Sequence, residues 1–288
     1  MTKAKPVPLY PGYNDLNEFH FDDYPELTKF LGSLPDWCLE HFNWAKSFLE
    51  YTGRNKSVHT YDRFRNEIER FLLWSFLVKQ SPIDQFRKQD VLDYADFCWQ
   101  PPVNWIGTSN QERFKIANGY SSANESWYPF KIQVPKAQKS TTKVDKKKYR
   151  PSQETLKAMF TAISSFYDFL MYEEFCFGNP VKIARRDCRY FITDAQVKEI
   201  KRLTSSQWQY VLDTAVDMAN EDADFERNLF IIAALKTLFL RISELSERPD
   251  WSPIMGHFWQ DEDENWWLKV YGKGRKLRDI TVPTDFLP

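Results

Sequence analysis

A chain of 288 residues, 42% of them hydrophobic, is long enough for two domains of ordinary size and apolar enough for real cores, which excludes a disordered tail. A net charge of −1 excludes a uniformly basic nucleic-acid coat protein. Four scattered cysteines (Cys38, Cys98, Cys176, Cys188) without CxxC spacing, and four histidines in all, argue against a zinc site and a disulfide framework.

Residues 1–35 are dotted with prolines and aromatics, with turn-like pieces at Pro11-Gly12, Gly32 and Pro35. Asp36–Tyr51 carries apolar residues at helical spacing, with Gly53 as the stop. From Ser57 the period is cleaner. Tyr61, Phe64, Ile68, Phe71, Leu72 and Phe76 form an apolar stripe, while Arg63, Arg65, Glu67 and Arg70 take the other face. A further helix is predicted from about Asp90 to the Pro101-Pro102 stop. Residues 103–150 read as a long loop, and loops of that length are usually functional or disordered. Helical spacing returns over Ser152–Glu174 and is closed by Asn179-Pro180, after which residues 182–189 form a basic connector. Helix starts follow at Thr193 and Ser205, then a strongly apolar helix over Arg227–Leu240. In the last fifth the period becomes two. Residues 266–271 and 277–282 are β-rich runs flanking GKGRK (272–276), a hairpin signal with glycines supplying the turn.

Charge is segregated along the chain. Residues 131–150 hold eight Lys or Arg against Asp145 alone, and residues 213–226 hold six acids and no base. Such polarity suits a protein that turns one face to an anionic partner. The lysine-rich stretch reads equally well as a phosphate grip and as a solvated loop. The 11 Trp and 23 Phe could stack bases, but their helical spacing assigns them to cores. With no apolar signal core and no run of roughly 18 apolar residues, a soluble, cytoplasmic protein is expected.

Two short motifs carry chemistry: LRISEL (240–245) and, beginning 32 positions later, GKGRKLR (272–278). Taken singly, each is weak. An arginine after a buried helix commonly pairs with a local acid or carbonyl, and a Gly-Lys-Gly tip is commonly a solvated turn. In this order, with a strand run between them, they resemble the opening of the catalytic domain of tyrosine-type site-specific DNA recombinases, the phage-integrase family. There an arginine in an LRxSEL motif leads into a sheet whose hairpin bears a GKGxKxR lysine. The helix pairs at 57–100 and 152–178 are similar to that family's core-binding domain, so the resemblance covers about residues 57–288.

The resemblance implies a mainly α fold: a helical, SAM-like core-binding DNA-binding domain over 57–185 with a basic loop insertion at about 103–150. The N-terminal part of an α+β catalytic domain with a β-hairpin then occupies 190–288. Residues 1–56 are an extension without an assigned role. The implied activity is cleavage and rejoining of duplex DNA at specific sites through a 3′-phosphotyrosyl intermediate, by a homo-tetramer on two DNA sites. No metal, nucleotide or other cofactor is called for, because the protein–DNA linkage stores the bond energy. The pentavalent transition state carries extra charge on its non-bridging oxygens, which a guanidinium holds bidentately without losing its proton; by resemblance this is Arg241. The departing 5′-oxygen needs a proton, by resemblance from Lys273, with Lys276 as the fallback. Glu244 falls on the acid of the motif and reads as a supporting or packing group. Lys143, Lys146, Lys147, Lys148, Arg185, Arg186 and Lys276 are the candidate DNA contacts. Two departures stand out. The family's usual Thr-Gly before the LRxSEL leucine is replaced by Leu238-Phe239, which implies a differently built turn, since glycine would permit positive φ. The family's HxxR motif, next His or Trp, and tyrosine nucleophile would fall beyond Pro288, and Tyr271 matches none of them, so the chain alone is expected not to cut DNA. The rival reading is a non-catalytic DNA-binding protein on a recombinase scaffold.

Overall fold

Apolar side chains recurring at three and four residues build a helical core, and in the computed structural model most of the described chain is helical. Residues 5–132, 144–191, 202–248, 250–272, 274 and 276–286 are described. The mainly helical expectation holds, with 58% helix and 12% strand. The chain divides into two units, Met1–Gln196 and Val197–Pro288.

The first unit contains α1 (Tyr13–Asn17), α2 (Pro25–Gly32), α3 (Asp36–Asn55), α4 (Val58–Trp74), α5 (Lys88–Trp99), α6 (Gln153–Tyr172) and α7 (Pro180–Asp187). Helix starts follow local chemistry. The hydroxyls of Ser57 and Ser152 accept the backbone N–H of Thr60 and Thr155 and so cap α4 and α6. The predicted stripe of α4 is buried, with Tyr61, Ile68, Phe71 and Leu72 at most 1% exposed and packed with Phe42, Tyr94, Phe160 and Phe166 from the neighbouring helices. The other face is not all left to solvent, because residues 68–77 are buried on every side and Arg70, expected there with Arg63, Arg65 and Glu67, is only 8% exposed. All four cysteines are buried free thiols. Burial pushes the thiols of Cys38 and Cys98 up to about 12, which removes them as thiolate nucleophiles at neutral pH.

Three readings of this unit need correction or extension. Residues 5–55, whose predicted helix at Asp36–Tyr51 carried no assigned role, belong to the first core: Leu9, Tyr10 and Leu16 are fully buried, and α3 contributes Phe42, Ala45 and Leu49. The stretch 103–150 is not one long loop. Strand β1 (Ile106–Gly107) pairs in parallel with β4 (Phe130–Lys131), and β2 (Phe114–Ala117) pairs antiparallel with β3 (Tyr120–Ala123). Its organisers are aromatic anchors, Trp105, Trp127 and Phe130, at most 2% exposed. The β2–β3 turn is Asn118-Gly119 at φ 53° and 82°, the two-residue geometry that suits hairpin twist. Finally, Asn179-Pro180 opens a helix. The Asn179 side chain caps the Val181 N–H and Pro180 sits in the first turn, so the expected basic connector is largely α7, with Val181 and Ala184 buried.

The second unit contains α8 (Ser205–Glu221), α9 (Glu226–Thr237) and a sheet in the order β5 (Phe258–Gln260), β6 (Trp266–Gly272), β7 (Lys276–Thr281). Thr204 and Gln207 form a reciprocal capping box at the start of α8. Both sheet pairings are antiparallel, and the β6–β7 register runs from Trp267–Thr281 to Gly272–Lys276. The core is small: Ala234, Leu238, Leu240, Leu268, Val270 and Val282. Helix α9 is shorter and wetter than its composition suggests, ending at Thr237 with Ala234 as its one buried residue. The predicted helix start at Thr193 lies outside the described residues. Among those described, no helix is long and apolar enough to cross a membrane.

One buried acid ties the N-terminal segment to the first core. Glu69, 1% exposed, accepts the backbone N–H of Leu9 at 2.6 Å and of Tyr10 at 3.2 Å, and pairs with Arg113 at 3.1 Å. Glu69→Ala strands two buried amides and a cation, and should cost about 3–5 kcal/mol. Urea unfolding measures the loss, and hydrogen exchange at Leu9 and Tyr10 should accelerate; a loss under about 1 kcal/mol with unchanged exchange would show the segment is held otherwise.

Candidate functional site

Helix α9 stops because the chain must bury both Leu238 and Leu240, 5% and 7% exposed, with Phe239 turned out between them at 85%. Phe239 adopts φ +51°. A side chain in this left-handed region costs roughly 1–2 kcal/mol. The turn expected to be built differently therefore keeps the positive φ that glycine would have favoured, and a phenylalanine bears it.

Beyond this turn Arg241 leads a short 3₁₀ turn, Ile242–Glu244. Glu244 is the centre of the site. Its side chain is 1% exposed, and its two oxygens are both occupied. Oε2 accepts the Arg241 backbone N–H at 2.9 Å and Arg278 Nη2 at 3.0 Å, while Oε1 accepts Arg241 Nη1 at 3.1 Å. Burying a carboxylate without such partners would cost several kcal/mol. Arg241 is thus fixed by this carboxylate, which lies after a tight turn, and not by the end of a buried helix as its position in sequence suggests. Glu244, read from sequence as a supporting group, is the anchor for two arginines.

The hairpin is bound to the same acid. A Cβ on Gly272 would stand 3.0 Å from Glu244 Oε1, so this glycine admits the carboxylate and the turn is left to Gly274, at φ +80°. Arg248 Nη2 donates to the Tyr271 carbonyl at 2.9 Å, and Trp251 Nε1 donates to the Glu244 carbonyl at 3.1 Å. These bonds join the end of β6 to the Arg241 turn. The expectation that Arg241 pairs with a local acid and the expectation that it serves chemistry are compatible: its side chain is 59% exposed, and one donor on Glu244 leaves others for an anion.

Lys273 and Lys143 lie outside the described residues. Lys276 is exposed at the start of β7, opposite Gly272. Lys146, Lys147 and Lys148 form a 3₁₀ turn capped by Asp145, whose carboxylate accepts the Lys147 N–H at 3.0 Å. Arg185 and Arg186 occupy the last turn of α7. Sequence reasoning missed Arg278, although it is the final residue of the GKGRKLR motif and faces Val270 in the β6–β7 register. Its signal was the motif itself. Gly272 was read as a turn residue when its function is close approach.

No protein-family model matches the chain, and no characterised protein matches its sequence. Among solved structures the chain is similar to XerH site-specific recombinase bound to palindromic difH substrate in a post-cleavage complex, with 11% identity and a TM-score of 0.44. The match covers 96% of this chain and 63% of that one, so the chain spans less than two thirds of that recombinase's length.

Phe239→Gly should stabilise the second unit by about 1 kcal/mol, because relief of left-handed strain outweighs glycine's greater unfolded-state entropy. Denaturant unfolding measures it, and a destabilisation would mean that the exposed ring makes a contact worth more than its strain. Gly272→Ala should destabilise the unit by about 1–3 kcal/mol, as over-packing beside a buried group does. The same loss with the Arg241–Glu244 pair intact by NMR would show that the methyl is accommodated elsewhere.

Proposed function

We propose that this chain holds the DNA-gripping domain and the opening of the catalytic domain of a tyrosine-type site-specific DNA recombinase. One observation carries the reading. The two motifs behind the resemblance, far apart in sequence, meet at one buried carboxylate, with Arg241 from LRISEL and Arg278 from GKGRKLR both on Glu244. Two independent local motifs would have no reason to share an acid.

In this reading the first unit is the core-binding domain and the second the start of the catalytic domain. The substrate is duplex DNA, engaged in the complete enzyme by a tetramer on two sites. Arg241 holds non-bridging oxygens of the scissile phosphate, and Glu244 fixes the guanidinium so that little reorganisation is needed as charge develops. Lys273, or failing it Lys276, protonates the 5′-oxygen as it leaves. The nucleophile is assigned to none of this chain's tyrosines. In the first unit, burial pushes the Tyr94 and Tyr167 hydroxyls well above their ordinary range, the opposite of an activated phenol.

The chain should bind duplex DNA with affinity falling steeply in salt. If about six phosphates are neutralised, the log–log slope should be near −5. Arg241→Ala should flatten that slope by about one and weaken binding across sequences, as loss of a phosphate contact does. Fluorescence anisotropy titrations between 50 and roughly 200 mM salt read both. Salt-independent binding, or an Arg241→Ala slope equal to that of the parent chain, would overturn the assignment.

A further inference from the structure

The first unit carries a cleft of about 1270 Å³ between the C-terminal end of α5, the Pro101-Pro102 segment, the Lys146–Arg150 turn and the residues following α7. Small-ligand pockets run to roughly 300–1,000 Å³, so this one is large for a metabolite. Its charge is one-sided. Lys146, Lys147, Arg150 and Arg189 line it, against a single acid, Asp96. That acid is already committed, accepting Arg189 Nη2 at 2.9 Å and the Tyr190 hydroxyl at 2.7 Å. Arg150 is placed without being neutralised: its Nη1 donates to the carbonyls of Tyr149 at 2.5 Å and Lys147 at 3.3 Å. Lys146 Nζ stands 5.0 Å over the Tyr128 ring, which orients it and leaves its charge whole. Among the described residues no carboxylate pairs with Lys146, Lys147 or Arg150.

The aromatic wall decides which part of a nucleic acid the cleft accepts. Trp99 and Tyr190 stack on each other, centroids 4.6 Å apart and 18° from parallel, and the Arg189 guanidinium stands 4.9 Å over the Tyr190 ring. Base-binding platforms need open ring faces. Here each ring covers one face of the other and Arg189 stands over Tyr190, so the pair serves to place a cation.

We infer that this cleft is a backbone-reading surface for duplex DNA, in which Lys147, Arg150 and Arg189 contact phosphates and no base is read. The inference rests on the proposed DNA-binding function and names the surface that would serve it. Lys147 and Arg150 carry the test because neither side chain makes an ion pair that its loss would break. The double variant Lys147→Ala/Arg150→Ala should flatten the log–log salt slope of duplex binding by about two, roughly one per lost phosphate contact. Lys148→Ala, one residue away on the same turn but outside the cleft lining, should change it by clearly less. Thermal unfolding of each variant separates lost contacts from lost fold, and an unshifted midpoint is expected. Single-stranded competitors with and without bases, matched in phosphate number, should compete equally. If the parent chain binds DNA steeply in salt and the double variant keeps that slope, the cleft is not the surface, while the DNA-binding reading stands. If abasic competitors lose affinity, bases are being stacked and the backbone-only reading is overturned. If the parent chain does not bind duplex DNA, the proposed function itself falls.

Discussion

The second unit depends on the burial of one carboxylate. A glutamate side chain 1% exposed is tolerable only when paired and hydrogen-bonded, since removing either kind of partner leaves a desolvated charge. Glu244 meets that condition with donors from two places in the chain: the backbone and guanidinium of Arg241, and the guanidinium of Arg278. Satisfying the acid therefore dictates that the strand after the hairpin lies against the turn after α9. Gly272 follows from the same requirement, because the carboxylate occupies the space where its Cβ would be. An apolar replacement at Glu244 can pack as well, but it leaves Arg241 with no partner to hold it.

The first unit uses the same physics to close a different problem. Its core alone would not specify where residues 5–12 or the segment around residue 129 run. Glu69 takes the amides of Leu9 and Tyr10, and Arg70, on the next position of α4, donates to the Pro129 carbonyl at 2.7 Å while paired with Glu67. The Arg70 guanidinium also lies 4.5 Å over Phe130. Consecutive polar residues on a mostly buried stretch of helix thus hold two excursions of the chain. A charged group inside a core is a weak contributor to stability but a strong specifier of register when both partners must be met.

What the sequence made legible was what repeats or combines. The stripe of α4 and the spacing within α6 gave the helices, because a buried face of a helix has a period. The pairing of LRISEL with GKGRKLR pointed to the cluster at Glu244, because a motif compresses several spatial constraints into a few residues. What stayed hidden was non-periodic. The fold of 103–132 depends on isolated anchors, Trp105, Trp127 and Phe130, although its Asn118-Gly119 turn carried a readable hairpin signal. Asn179-Pro180 was ambiguous for a physical reason: an Asn before a Pro ends one helix and caps the next equally well. Helix α9 was read as strongly apolar and buried because composition measures side chains, whereas burial depends on what is packed against them.

Phe239 shows how the levels constrain one another. Leu238 and Leu240 must both reach a small core, so the residue between them has to turn outward, and the chain has to reverse within it. Glycine does this without strain. The observed φ of +51° at a phenylalanine means the surrounding fixed points, a buried leucine on either side of it and the Glu244 pairings after them, over-determine the backbone there. Strain persists in a protein only where its neighbours leave no cheaper conformation. The residue immediately beyond, Leu240, then delivers Arg241 onto its carboxylate. A guanidinium held by a turn that cannot relax has lost much of its freedom before any anion arrives, and in the proposed function that is what would let Arg241 meet a phosphate with little further reorganisation.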